Sequence, residues 1–339
     1  MARRDESGLA FATDAALEGW AGRPWVLPLV LALAAALRVA HLLWFRDAPF
    51  FATLMLDARY YDRWAQRIAG GEWVGTQAFW VDPLYAYAIG VLYAVAGHDV
   101  LLPRLLNLGC GVATVWLVHR IARRVWGSQA AAVAAALLVA LFVPAIHFEA
   151  QVEKTALSVL LLAAALDAFL IGTTPALAVA GIAAGLSVLA RGNLLAFVPL
   201  AAVALLLGWE REPGDPLAAG RRWRRAGLFL ACALPLIALA TWHNWAASRE
   251  LVPTTTNLGI NLYLGNHAGN AYGYYEPPDF LHPNTEARCR TSAPKRRGAA
   301  PGRCRTGPSP PTGARPRGRR SWRRRGRRWR ARCTSCSWR

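Results

Sequence analysis

The chain has 339 residues and a formal net charge of +19. All of that excess lies in residues 287–339, which hold 18 Arg, one Lys and no acidic residue, whereas residues 1–286 hold 20 basic and 20 acidic residues. The overall basicity therefore says nothing about what the first 286 residues bind. No GxGxxG, P-loop, HExxH or GxSxG motif occurs in a usable context, which argues against nucleotide-binding and hydrolase classes.

The first 286 residues contain seven apolar stretches, each close to the roughly 17–25 residues that cross a ~30 Å hydrocarbon layer as a helix. They are Trp25–Phe45, Leu101–Ile121, Ala130–Ile146, Thr155–Ile171, Pro175–Ala190, Asn193–Leu207 and Ala226–Trp242. An eighth stretch, Pro83–Ala96, is shorter and begins with proline, which is typical of a re-entrant or interfacial helix. We predict an all-α membrane protein with about seven spans and one such helix in its first external loop.

Basic residues predict the orientation of the spans, because cytoplasmic loops are enriched in Lys and Arg. Three basic clusters should be cytoplasmic: Arg3-Arg4, Arg120–Arg124 and Arg221–Arg225. We therefore expect residues 1–24 inside, a transmembrane core over residues 25–245 with an external loop at 46–100, and a second external loop at 246–286. No cleavable signal peptide is evident.

Residues 287–339 form an Arg-rich tail that uses nine residue types and lacks every large aliphatic residue. Such a segment cannot bury a core, so we predict that it is disordered. Its composition is typical of GC-rich DNA translated out of frame, and the alternative is a genuine basic arm. We expect a frameshifted tail, and the Cys333–Cys336 pair then carries little weight as a redox or zinc motif.

The first external loop is rich in aromatic and charged residues between Asp57 and Trp73. At helical spacing Asp57, Tyr61, Trp64 and Ile68 share one face. A carboxylate at the start of such a helix, at the membrane surface, could act as a general base or could cap the helix. We expect Asp62 to pair with a neighbouring Arg on the helix surface.

Several further motifs follow in order along the chain. They are the Gly70-Gly-Glu-Trp73 turn, Pro83-Leu-Tyr85, Pro103-Arg-Leu-Leu-Asn107, Glu149-Ala-Gln-Val-Glu-Lys-Thr155, Leu189-Ala-Arg-Gly-Asn193 and Pro253–Asn266. Together with the Asp-x-x-x-Tyr pattern at Asp57, this order resembles the GT-C membrane glycosyltransferases. It is most similar to the protein-mannosyltransferase and aminoarabinose-transferase group, glycosyltransferase family 39, over roughly residues 25–280.

The resemblance implies inverting transfer of a sugar from a polyprenyl-phosphate donor on the extracytoplasmic face of a bacterial cytoplasmic membrane. The acceptor would be a lipid, glycan or protein, and neither a cofactor nor a metal is implied. Asp57 takes the position of the catalytic acid of the family. Candidate ligands of the lipid phosphate or the substrate are Arg191, Lys154, Arg59, Asp82 and Tyr61.

Structural alternatives exist for most of these residues. Arg191 could be an interfacial residue that snorkels, and Lys154 could pair with Glu153 or Glu149. Asp82 stands where relatives carry Lys or a neutral residue, and it could cap the helix that begins at Pro83. Within the spans, Arg38 marks an internal cavity or snorkels, and Asp167 is expected to be a structural partner.

Two other functions compete with the transferase. A secondary transporter would need inverted repeats and broken helices that meet at mid-membrane, and the two halves show no such pairing. A non-catalytic membrane protein is the third reading, because relatives usually carry several more spans after residues 243–280. We therefore expect a truncated chain that keeps the motifs and could lack the activity.

Overall fold

A computed structural model of the protein describes residues 15–208 and 219–266. Within these ranges the chain is helical, with loops and no strand, and both ranges belong to one compact unit. The prediction of an all-α membrane protein is confirmed. The predicted tail at 287–339 and the predicted cytoplasmic Arg3-Arg4 lie outside the described residues.

Residues 15–21 are helical, and the numbered helices that follow are joined by loops of different lengths. In chain order they are α1 Val26–Phe45, α2 Pro49–Ala52, α3 Leu56–Ala69, α4 Pro83–Ala96, α5 Leu101–Trp126, α6 Gln129–Ala140, α7 Val143–Glu149, α8 Thr155–Ile171, α9 Thr174–Ala190, a 3-10 turn Gly192–Ala196, α10 Phe197–Leu207, α11 Ala219–Ser248 and α12 Leu258–Asn266.

Three helices in the described part of the chain, α1, α5 and α11, are long and apolar enough to cross a membrane. A fourth span results if α6 and α7, which are bent by 53°, are taken together. The other predicted spans form α8, α9 and the 3-10 turn with α10, which are apolar but shorter. All seven predicted stretches are thus helical, and three of them fall below span length.

The break between α6 and α7 has a local cause and a long-range partner. Pro144 lies in the first turn of α7 and cannot donate a hydrogen bond to the carbonyl of Ala140, four residues earlier. Arg38 of α1 reaches that carbonyl instead, with Nη1 at 3.4 Å from it. The free carbonyl at the break is therefore satisfied inside the protein, as a membrane protein requires.

The main core is built from α8 to α11 and consists largely of small residues, including Ala165, Ala180, Ala184 and Ala233. Gly181 and Gly185 of α9 face the backbone of α11, and a Cβ atom at Gly181 would lie 2.4 Å from the carbonyl oxygen of Phe229. Close approach of this kind is the usual basis of helix association in membranes, where burial from water supplies no driving force between helices.

The helices of the loop that is predicted to be external, α3 and α4, pack closely on each other. Gly90 of α4 meets Ile68 of α3 so tightly that a Cβ atom there would lie 2.6 Å from Cγ2 of Ile68. The predicted bounds of Pro83–Ala96 are confirmed. The second predicted external loop, 246–286, instead begins with the last turn of α11 and contains α12.

The two ends of the bundle differ in charge. Asp167 of α8 pairs with Arg120 and Arg124 of α5, at 2.9 and 3.0 Å, which confirms its predicted structural role. The guanidinium of Arg225 lies beside Gly172, at the end of the same helix α8. The basic clusters at 120–124 and 221–225 therefore share one end of the bundle, and the long loops gather at the other.

Candidate functional site

The predicted site residues meet at the loop end of the bundle, where four segments converge. They are the start of α3, the residues just before α4, the turn 150–154 between α7 and α8, and the residues that follow α9. Asn244 of α11 fixes the geometry there. Its side-chain oxygen accepts a hydrogen bond from the backbone N–H of Phe79 at 2.8 Å, and its side-chain nitrogen donates to the carbonyl of Thr254 at 2.8 Å.

Asp82 is the structural centre of this region and is 5% exposed. Its Oδ1 accepts a hydrogen bond from the backbone N–H of Gly192 at 2.8 Å, and its Oδ2 pairs with Nζ of Lys154. Its backbone carbonyl accepts from the hydroxyl of Tyr61 at 3.4 Å. Asp82 thus links α3, the turn before α8 and the end of α9. An apolar side chain such as Met or Leu could not make the two bonds of the carboxylate.

Lys154 makes this ion pair in place of the bridge to Glu149 or Glu153 that its sequence neighbours suggested. Glu149 is instead engaged with Arg38, and a carboxyl oxygen of Glu153 accepts from the backbone N–H of Lys154 at 3.1 Å. The ammonium of Lys154 has three hydrogens, so its pair with Asp82 leaves donor capacity for another anion. Its side chain is 15% exposed.

Glu153 is a functional candidate that the sequence did not single out. Burial raises the pKa of Glu153, the charge of Lys154 lowers it, that of Asp57 raises it and that of Arg191 lowers it. The carboxyl group of Glu153 therefore lies within electrostatic reach of three predicted site residues. The Glu-Lys pair of the 149–155 motif was visible in the sequence, but it gave no sign of which charges Glu153 faces.

Asp57 is partly exposed and stands in the first turn of α3. The N-cap position belongs to Met55, whose side chain makes no capping bond, so the interpretation of Asp57 as the helix cap is wrong. The preceding residue, Leu56, has φ +49°, a left-handed conformation that a leucine rarely adopts. Strained backbone of this kind tends to cluster at functional sites.

Tyr61 is fully buried one turn after Asp57, under the loop end of the bundle. Burial raises its pKa strongly, and the negative charges of Asp82, Glu153 and Asp57 raise it further. Tyr61 is therefore a neutral hydroxyl that donates to the carbonyl of Asp82. It supports the site from below, and its predicted contact with substrate stays a prediction.

The remaining predicted residues are placed differently. Arg191 is partly buried between α9 and the 3-10 turn, next to the Gly192 amide that Asp82 holds. Arg59 lies on the exposed side of α3, and its predicted role stays a prediction. Thr254 also borders the site. Its hydroxyl lies so close to Gly192 that a Cβ atom added to Gly192 would be 2.7 Å from the Thr254 hydroxyl oxygen.

Asp62 does not pair with a neighbouring Arg, and that expectation is wrong. Its carboxylate accepts from the Tyr93 hydroxyl at 2.8 Å and contacts His98 at 2.9 Å and Gln66 at 2.7 Å. These contacts tie α3 to α4 on the side away from Asp57. Among residues 15–208 and 219–266, no group of three or more His, Cys, Asp or Glu is arranged to hold a metal ion.

Comparison with known proteins agrees with the geometry. The sequence model of the dolichyl-phosphate-mannose-protein mannosyltransferase family matches residues 81–245, slightly less than half of the chain. This range includes Asp82, Lys154 and Arg191 and begins after Asp57. No curated protein and no solved structure matches the chain. Over the matched residues, this helical membrane protein is similar to membrane glycosyltransferases of the mannosyltransferase type.

Proposed function

We propose that the protein is an integral-membrane glycosyltransferase that moves a sugar from a polyprenyl-phosphate donor to a hydroxyl acceptor, with inversion. The observation that carries the proposal is that the buried Asp82 carboxylate holds both the Lys154 ammonium and the backbone N–H of Gly192, next to Arg191, at one end of an apolar bundle. The carboxyl groups of Asp57 and Glu153 lie within electrostatic reach of these cations. Acids and cations at one place are what transfer of a glycosyl group from a phosphate requires.

In this reaction Asp57 accepts the proton of the acceptor hydroxyl as its oxygen forms a bond to C1 of the sugar. The bond between C1 and the phosphate oxygen breaks on the opposite face, which inverts the anomeric centre. Negative charge then develops on the lipid phosphate that leaves. Lys154 and Arg191 stabilise this charge, and they do so most strongly in the partly dehydrated site.

Lys154 suits this role because Asp82 holds its ammonium in place before substrate arrives. A preorganised cation loses little freedom when the phosphate binds, so more of its interaction energy is available to the transition state. Arg191 contributes a planar group that can bind two phosphate oxygens at once. The neighbouring Gly192 amide is fixed by the same Asp82 carboxylate.

We further propose that the site faces the outside of a bacterial cytoplasmic membrane. The two described basic clusters lie at the opposite end of the bundle. Arg120 and Arg124 of one cluster pair with Asp167 of α8, and Arg225 of the other lies beside Gly172, which follows α8. Basic clusters at one end favour the cytoplasm for that end. The acceptor in this proposal is a lipid, glycan or protein hydroxyl.

The test is turnover of radiolabelled polyprenyl-phosphate mannose by the purified chain in proteoliposomes, with membrane extract as the source of acceptors. Asp57→Asn should lower the rate ~10²–10⁴-fold while the protein is produced and folded normally. The matched control is Glu72→Gln, an exposed carboxylate of the same loop, which should leave turnover unchanged. A wild-type chain without turnover would favour the non-catalytic alternative, and an active Asp57→Asn variant would exclude Asp57 as the base.

A further inference from the structure

The turn 150–154 presents Glu153 and Lys154, yet it has no regular secondary structure. Its backbone is held from below by buried side chains of α5. Nε of Arg104 donates to the carbonyl of Ala150 at 2.9 Å. Nδ2 of Asn107 donates to the carbonyls of Gln151 at 2.8 Å and of Glu153 at 3.1 Å.

Asn107 is fully buried and directs its amide nitrogen at this turn. The two carbonyls can only accept hydrogen bonds, which means that the NH2 group must face them. The Tyr85 hydroxyl lies 3.0 Å from the same nitrogen. The two amide hydrogens are thus shared among three acceptors. Two of these acceptors, the carbonyl oxygens of Gln151 and Glu153, belong to the turn.

An amide inside an apolar helix needs a reason, because burial of a polar group is costly unless the group forms hydrogen bonds. Asn107 forms its bonds entirely outside its own helix, with the turn and with α4. Thr114, two turns further along α5, shows the contrast. It is also buried, but its hydroxyl bonds only the carbonyl of Cys110 within α5.

We propose that Asn107 is a positioning residue that fixes the turn 150–154, and with it the Glu153 carboxyl and the Lys154 ammonium, for the reaction above. Arg104 supports the same turn at its first residue, Ala150. The proposal about catalysis rests on the proposed function, whereas the proposal about the turn rests on the hydrogen bonds alone. A misplacement of about 1 Å in such a site can lower the rate on the order of 10²-fold.

The test uses the full chain in lipid nanodiscs and measures backbone hydrogen exchange by mass spectrometry. Asn107→Leu, which keeps the size of the side chain and removes both donors, should raise exchange in a peptide covering 150–156 about tenfold. A peptide from α9 should be unchanged. Thr114→Val is the matched control, because it removes a buried hydrogen bond from the same helix without touching the turn.

Asn107→Ser, which keeps one donor in a smaller side chain, is the milder variant and should give a smaller local rise. Unchanged exchange at 150–156, or an equal rise in all helices, would overturn the positioning role. The same variants are assayed for turnover of polyprenyl-phosphate mannose, where Asn107→Leu should lose about 10–100-fold in kcat. A local rise in exchange with an inactive wild type would keep the positioning role and reject the proposed reaction.

Discussion

Gly111 offers a sharp test of the buried ion pair beside the candidate site. Arg38 of α1 and Glu149 of α7 form two parallel hydrogen bonds, Nε to Oε2 at 2.6 Å and Nη2 to Oε1 at 3.1 Å. Arg38 is 2% exposed, so it does not snorkel. Gly111 of α5 lies against this carboxylate, and a Cβ atom there would overlap all three of its heavy atoms.

Gly111→Ala should therefore displace the Glu149 carboxylate and disrupt the pair. Breaking a buried pair costs about 3–5 kcal/mol, because a charge is left without its partner. Replacing Gly by Ala inside a helix returns about 1 kcal/mol. We expect a net loss of about 2–4 kcal/mol in the free energy of unfolding. Gly109→Ala is the matched control, since nothing apart from its chain neighbours and the adjoining backbone of α5 lies within 4 Å of its added Cβ.

The assay is titration with SDS in mixed micelles, followed by tryptophan fluorescence. Gly109→Ala should be as stable as the wild type or slightly more stable. In a background that carries Arg38→Leu and Glu149→Ala, Gly111→Ala should have little effect, because the carboxylate that it displaces is gone. If Gly111→Ala is as stable as Gly109→Ala in the natural background, the close packing of the carboxylate against α5 is refuted.

Three other predictions concern the site and its orientation. In a cysteine-free chain, Glu72→Cys should react with an impermeant maleimide from outside and Arg224→Cys only after permeabilisation, and the opposite pattern would reverse the orientation. Arg191→Ala should raise KM for the lipid donor, whereas Arg191→Lys should retain much of the affinity if a point charge suffices; equal losses would mean that the planar group is needed. Burial raises the pKa of Glu153 above 4.5, the ordinary value that it has in the unfolded chain. The free energy of unfolding therefore falls as the pH rises from 4.5 to the pKa of Glu153 in the folded protein. Glu153→Gln should therefore match the wild type near about pH 4 and exceed it at neutral pH, as measured by SDS titration.

The local features of the chain could be predicted from the sequence. The predicted bounds Thr155–Ile171 and Pro83–Ala96 are those of the observed helices. The observed helix Val26–Phe45 begins one residue after the predicted stretch Trp25–Phe45. These elements depend on runs of apolar residues and on proline, which act within a few residues. The predicted partnership of Asp167 with the basic end of the bundle is also confirmed, since opposite charges in apolar helices must pair.

The arrangement of the site was decided by the tertiary structure. Asp82 and Lys154 are 72 residues apart, and the sequence suggested a cap for one and a local ion pair for the other. Arg38 and Glu149 are 111 residues apart, and Glu149 lies on α7, which is bent by 53° from α6 at the break before Pro144. Hydrogen bonds and ion pairs act over a few ångströms, whichever residues the fold brings together. Composition fixes which segments are helices, whereas the packing of those helices decides which charge faces which.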